Sequence, residues 1–331
     1  MTPEGAPFTI DSAGHCQPPE ESTGNRLGIT DLFCSKGMFA AACYLGDSCV
    51  LEEARAYLGR VDEAIANGTL ENDQIQLDPK NPVAPTPGRI PHGPFMVQIG
   101  TASLLASNGY REGVEMGLRM IRYELQHHVN LDNRVTGFAA YDMWEAIDKN
   151  GAPYRENGVV ASDPGHALEF AGLSLQFLRT LEKTPGSLGS DRSEISRLKR
   201  IMPQITLRNF ENGYQPGPGG ICKLFDLVSR QPINTDMPWW SLPETIRAAL
   251  LAVEAAETTA ERKACLEVFH KCHNDFTQHY ILPDRHLTAV QTRNFEGQPV
   301  PVVPATPDAD PGYHTGLSLI DAFEVLEKGV F

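Results

Sequence analysis

The sequence predicts an all-α protein, an α/α toroid built from helical hairpins. Three observations predict it. Apolar residues recur at helical spacing through most of the 331 residues, and alternating strand patterns are scarce. Two kinds of helix alternate along the chain, one apolar nearly all round and one with a charged face, as buried and peripheral helices do. The apolar kind returns every 60 to 80 residues or so, roughly the period of an array of helix pairs.

The apolar, small-residue helices are expected to form the inner layer. They are "KGMFAAACYLGD" from Lys36, "PFMVQIGTASLLASNG" from Pro94, "HALEFAGLSLQFL" from His166, "PETIRAALLAVEAA" from Pro243 and "HTGLSLIDAFEVL" from His314. The charged helices between them are expected to form the outer layer: "VLEEARAYLGRVDEAIA", "YREGVEMGLRMIRYELQHH", "SEISRLKRIMPQITLRNF" and "TAERKACLEVFHKCHNDFTQHY". A closed barrel of this kind, an (α/α)6-barrel, has six pairs. About five inner helices are legible, so the toroid is expected to be incomplete at its N-terminus; an open solenoid is the alternative. Residues 1–25 are polar and rich in Pro and Gly, and read as an irregular tail. Residues 26–331 read as a single α/α-barrel domain.

Composition excludes several functions. A net charge of -14 opposes a nucleic-acid surface, which needs clustered Lys and Arg. The basic run "RLKR" at 197–200 reads as a solvated helix face. The seven cysteines are odd in number and lack CxxC spacing, so free thiols in a reducing compartment are expected and no zinc pattern arises. The N-terminal segment lacks the charged start and apolar core of a secretory signal. No apolar run reaches the ~18 residues of a membrane span. The expected location is cytoplasmic, with no membrane and no nucleic-acid partner.

Long Pro-rich segments at 78–94, 216–238 and 296–313 each lead into an inner helix. Long loops in compact domains commonly carry function, so these are expected to share one mouth. Three inner helices begin there with chemically capable residues. "DPGHALE" places His166 and Glu169 at i and i+3, on one helix face. "MPWWSLPET" places Trp239 and Trp240 before a helix and Glu244 in its first turn. "PGYH" places Tyr313 and His314 at the last inner helix. Each has a plain reading: a helix-start histidine, a glutamate favoured by the helix dipole, a tryptophan anchoring the core. Their equivalent places in the repeat favour chemistry, because a closed barrel would bring them to one cavity.

The positive end of a helix is expected to lower the pKa of His166 and keep it neutral, as a general base requires. Two such histidines could remove a proton from one face of a carbon and return one to the other. Glu169 is expected to orient His166 or bind a substrate hydroxyl, and the tryptophans to wall the cavity. His15, His92, His127, His128, His270, His273, His279 and His286 fall in polar tails, loops or outer helices and receive no role.

These stretches resemble the N-acylglucosamine 2-epimerase superfamily, which includes cellobiose 2-epimerases and mannose-type aldose–ketose isomerases. The family's "NPGHxLEAGW" is matched by "DPGHALEFAG" at 163–172, its "WWPxxEA" by "WWSLPET" at 239–245, and its late "(Y/F)H" by "PGYHTG". Weaker matches lie at 30–47 and 93–105. The resemblance implies a six-hairpin α/α barrel that abstracts the proton alpha to the carbonyl of a ring-opened sugar. It implies His166 and His314 as the catalytic acid/base pair. Glu169, Trp239, Trp240, Glu244 and Tyr313 would contact substrate. It implies no metal and no cofactor, a small-molecule sugar as partner, and allows a homodimer.

Three departures bear on this. The family's opening helices, which supply an arginine near the sugar oxygens, have no counterpart here. The isomerase and cellobiose-epimerase branches place a further histidine on the second inner helix, where this chain offers Phe95, Val97 and Gln98; that leans toward an N-acylglucosamine/N-acylmannosamine-type substrate. "EAGW" is "EFAG" here, so the aromatic position differs. The leading expectation is a sugar 2-epimerase. The alternatives are a degenerate, non-catalytic carbohydrate binder and an α/α-toroid glycoside hydrolase using Glu169 and Glu244. A sequence that begins short of a complete chain would also account for the missing helices.

Overall fold

The computed structural model describes residues 9–10, 15–17, 27–71, 88–183, 191–285, 289–300 and 312–329. The chain forms two compact units, residues 1–73 and 74–331. The tail expected over 1–25 lies mostly outside the described residues; within it Thr9–Ile10 pairs antiparallel with Cys16–Gln17.

The first unit holds one helical hairpin, α1 (Ile29–Leu45) and α2 (Ser48–Ala66). Gly46 ends α1 at φ 68, a left-handed conformation that glycine adopts without strain. Asp47 then starts α2, its side chain accepting from the backbone N–H groups of Cys49 and Val50. Helix α1 begins seven residues before the expected start at Lys36 and is not buried all round, since Tyr44 and Leu45 lie in the open. Within its unit, α2 packs against one face of it, and one partner helix covers only one face.

The second unit holds α3 (Gly93–Ser107), α4 (Arg111–His127), α5 (Pro164–Lys183), α6 (Arg192–Gly213), α7 (Ser241–Ala255), α8 (Thr259–Asp275) and α9 (Ser318–Glu327). Helices α3, α5, α7 and α9 are neighbours in chain order and form the inner layer. Helices α4, α6 and α8 pack outside them. The inner sequences take this place by composition: α7 buries nearly every residue and α5 most of its length, whereas α4 buries one stripe. Asp191 and Thr258 cap the outer helices α6 and α8. Inner helices α3 and α7 have no side-chain cap, so their N-termini stay open toward the site.

Small residues set the closest packing. A Cβ on Gly117 of α4 would sit 2.3 Å from the Phe177 ring of α5. A Cβ on Gly172 of α5 would sit 3.0 Å from Nε of Arg247 on α7, so this glycine makes room for a buried guanidinium.

The segment 216–238, expected to be an irregular loop, is instead a β-ribbon. Leu224–Asp226 pairs with both Ala161–Ser162 and Gln231–Asn234. Its underside joins an apolar cluster of Trp144, Ile147, Val160, Cys222, Phe225 and Leu227, which gives a loop-length segment the buried face that a sheet requires. Most of the segments 78–94 and 296–313 lies outside the described residues. The six described cysteines with placed side chains are free thiols. No described helix is long and apolar enough to cross a membrane.

Two glycines predict opposite responses in urea denaturation. Gly117→Ala overpacks the α4–α5 contact and should destabilise by about 1–3 kcal/mol. Gly59→Ala, on an open face of α2 with nothing within 4 Å, should stabilise by about 0.5–1 kcal/mol. Equal midpoints for Gly117→Ala and wild type would contradict the packing.

Candidate active site

Asp163 and Pro164 organise the start of α5. Pro164 opens the helix where its missing N–H is no loss. Asp163 Oδ1 accepts from the N–H of Gly165 at 3.0 Å and of His166 at 3.3 Å. Gly165 is needed for a separate reason: a Cβ there would lie 2.8 Å from the Trp240 indole. His166 therefore leaves the helix start directly against Trp240, with ring centroids 5.2 Å apart.

His314 arrives from the other side. It lies in a wide π-type turn, Tyr313–Leu317, that precedes α9; such turns often occur at functional sites. Its ring is also 5.2 Å from the Trp240 centroid. The two imidazoles are thus no farther apart than twice that distance. Trp239 meets His314 edge-on at 6.0 Å and donates from Nε1 to Gln291 Oε1 at 3.0 Å. Both tryptophans are buried.

Each imidazole is held through Nδ1 by a carboxylate. His314 Nδ1 donates to Glu244 Oε1 at 3.0 Å. Glu244 is fixed in turn by Arg247, three residues on, and both are 0% exposed. His166 Nδ1 donates to the Glu145 carboxylate at 3.1 and 3.2 Å. Glu145 comes from an extended segment after α4. Its N–H donates to Ala161 O at 2.9 Å, its carbonyl accepts from His92 N at 3.2 Å, and Trp144 and Ile147 on either side are sunk in the apolar cluster. Glu169 does not orient His166, the first of its two expected roles. It accepts instead from the Tyr313 hydroxyl at 3.0 Å, because the side chain nearest His166 Nδ1 is Glu145.

All seven residues singled out from the sequence lie in this one contiguous group. Sequence reasoning missed several that hold it together. Asp163 stands three residues before His166, and Arg247 three after Glu244, so the i, i+3 rule that paired His166 with Glu169 could have found both. Lys223 lies in the β-ribbon, its Nζ 2.6 Å from Asp163 Oδ2 and 5.2 Å over the Trp240 ring. Glu145 carried no local signal.

His92 and His128, given no role from the sequence, are buried. His92 stands at the start of α3, with Nε2 3.2 Å from Glu145 and Nδ1 3.4 Å from Glu124. A histidine therefore does stand at the N-cap of the second inner helix, six residues before Gln98.

The electrostatics also correct an expectation. Burial would lower the pKa of His166, but the carboxylates of Asp163 and Glu145 outweigh it and hold it raised. The helix end does not keep this imidazole neutral. Burial would raise Glu145, but His166 and His92 bring it well below its ordinary value. Burial, and then the Glu244 charge, raise Glu169. Burial would lower Lys223, and Asp163 reverses this. His128 lacks a carboxylate contact and donates from Nδ1 to Trp144 O at 3.1 Å; burial, and then His92, push its pKa down to about 3.

Water reaches this group along one edge. The side chains of His166 and Lys223 are 18% exposed, His314 16% and Glu145 13%. Their supporting partners Glu244, Arg247, Glu169 and His92 are shut away. Groups that could exchange protons with a ligand are reachable, and groups that fix them are not.

Histidine titration by NMR checks the assignment. His166 should titrate above 6.5, and His128 should stay neutral down to about pH 3. Because the folded pKa of His128 is depressed, its contribution to stability is present above pH 6.5 and is lost as pH falls toward 3. A His128 midpoint near 6.5 would contradict the buried neutral state.

No family model matches the sequence, and no curated protein is similar to it in sequence. Solved structures are similar. A sugar epimerase from a ruminal bacterium superposes with a TM-score of 0.63 at 13% identity, over 91% of this chain and 71% of that one. A cellobiose 2-epimerase from Spirochaeta thermophila DSM 6192 gives 0.62 at 13%, over 91% and 70%. A D-mannose isomerase gives 0.58 at 14%, over 90% and 71%. At such identities the likeness is one of fold, and the fold of this chain is the all-α toroid of these sugar epimerases and isomerases, the fold that the superfamily resemblance implied.

Proposed function

We propose that this chain is a sugar 2-epimerase or aldose–ketose isomerase that exchanges the proton alpha to the carbonyl of a ring-opened sugar through His314 and His166. One observation carries the reading. Two imidazoles, each fixed through Nδ1 by a carboxylate, lie against one buried indole at the water-accessible edge of a sugar-epimerase fold. Fixing Nδ1 leaves Nε2 as the nitrogen that exchanges a proton in each ring.

In one direction His314 Nε2 takes the C2 proton. The electrons of that C–H bond move onto the carbonyl oxygen, giving an enediolate. His166, held protonated by Glu145 and Asp163, returns a proton from Nε2 to the opposite face of C2, or to C1 if the product is a ketose, the O2 hydroxyl proton then passing to O1. In the reverse direction the two exchange roles. Lys223 is the cation that stabilises the enediolate oxygen, since Arg247, the other cation in the group, is buried and committed to Glu244. Trp240 excludes water between the two rings, and the buried Glu169 fixes the Tyr313 hydroxyl beside them.

The hydrolase alternative has one observation in its favour. Oxygens of Glu169 and Glu244 lie within 4.8 Å, near the ~5–5.5 Å between the carboxyl groups of retaining glycosidases. Both carboxylates are nonetheless buried against Tyr313, Arg247 and His314, which opposes contact with a glycosidic oxygen.

Incubation with N-acylmannosamine, mannose and cellobiose, followed by product NMR, tests the reading. One of them should give its C2 epimer or ketose. His166→Ala and His314→Ala should each lower kcat by roughly 10²–10⁴, and Lys223→Met by ~10²–10³, with the helical CD spectrum kept. Normal turnover in either histidine variant, or release of a new reducing end without epimerisation, would overturn it.

A further inference from the structure

A second chemistry is built beside the proton-exchanging edge. We propose that His92, Glu145 and His166 form a binding site for one divalent transition-metal cation of the zinc or cobalt class. His92 Nε2 lies 3.2 Å from Glu145 Oε2, and His166 Nδ1 lies 3.1 Å from Glu145 Oε1. Ligand atoms of all three residues lie within 4.8 Å of one another. Zinc binds nitrogen and oxygen ligands at about 2.0–2.2 Å, so ligand atoms on a tetrahedral centre stand about 3.4 Å apart. The observed spacing needs only small side-chain shifts to meet that value. Two histidines and one carboxylate leave an open coordination position, and the water-accessible edges of His166 and Glu145 give the entry path.

An independent observation points to the same ligand. Glu124 is fully buried, and neither of its carboxylate oxygens has a hydrogen-bond partner. Its nearest cationic neighbour is Nδ1 of His92, 3.4 Å away. A metal on His92 Nε2 would place the ring proton on Nδ1, facing Glu124. This is the carboxylate–histidine–metal relay that orients imidazole ligands. Charge permits it: Lys223 already compensates Asp163, and a divalent cation that displaces the protons of His92 and His166 compensates Glu124 and Glu145 in their place.

The neighbouring group of Glu169, Glu244 and His314 has similar ligand spacing. Its carboxylates differ in being already partnered, Glu244 by Arg247 and Glu169 by the Tyr313 hydroxyl, whereas the Glu124 oxygens have no hydrogen-bond partner. The cation is therefore assigned to the His92 group. One consequence rests on the proposed function: a metal on His166 removes the imidazole from proton exchange, so it inhibits turnover.

Zinc titrated calorimetrically into chelator-treated full-length protein, and cobalt followed by its visible absorption, test the site without any turnover. One equivalent should bind. His92→Gln and Glu145→Gln should each abolish that equivalent, and Glu124→Gln should weaken it by about 10–100-fold. Thermal unfolding identifies any variant that has not folded, and the other ligand variant then decides. His273→Gln, on the exposed side of α8, should bind as wild type. Absence of stoichiometric binding, or binding unchanged in a folded His92→Gln or Glu145→Gln, would overturn the proposal. If zinc binds but the chelator-treated, metal-free protein turns over no sugar, the epimerase reading fails and the metal site stands.

Discussion

A carboxylate fixed on Nδ1 of each imidazole is the constraint on which the site depends. An imidazole at a helix start can rotate and exchange tautomers. His166 and His314 cannot do so cheaply, because Glu145 and Glu244 accept from Nδ1 in each ring. Each carboxylate is itself fixed from behind, Glu244 by the buried Arg247 and Glu145 by backbone bonds to Ala161 and His92. Charge-assisted hydrogen bonds in a low-dielectric setting are strong, and leaving one partner unpaired there is costly. The rings are accordingly rigid where they meet Trp240.

The fold serves this constraint through small residues and open helix ends. Gly165 admits the indole and Gly172 admits Arg247. Asp163 caps α5 and at the same time neutralises Lys223, so one side chain sets the helix start, the position of His166 and the cation beside it. The β-ribbon and its apolar cluster hold Glu145 and Lys223 at the mouth of a helical array.

Much of this was legible in the sequence. The nine helices among the described residues follow from apolar periodicity, and the grouping of His166, Glu169, Trp239, Trp240, Glu244, Tyr313 and His314 follows from their equivalent places in the repeat. The charge state of His166 was not legible. The helix dipole predicts a lowered pKa, whereas two carboxylates in contact outweigh a dipole equivalent to about half a charge. Glu145 was invisible because its position depends on strand pairing between segments far apart in the chain, Ile90–Pro91 with Ala146–Ile147. His92 and His128 received no role because their local sequence is loop-like or belongs to an outer helix, although tertiary packing buries both. The α1 sequence reads as an inner helix, yet Tyr44 and Leu45 remain exposed, since periodicity records what a helix can bury and not what covers it.

The central claim is that two differently held histidines share one proton exchange. Deuterium labelling early in the reaction tests it most directly. In heavy water, with the sugar the protein turns over and conversion kept low, a base on one face and an acid on the other should give product fully deuterated at the carbon that receives the proton. The remaining substrate should keep its C2 proton. Product that retains the original proton, or deuterium entering substrate as fast as product, would mean that a single group serves both steps and would contradict the two-histidine account.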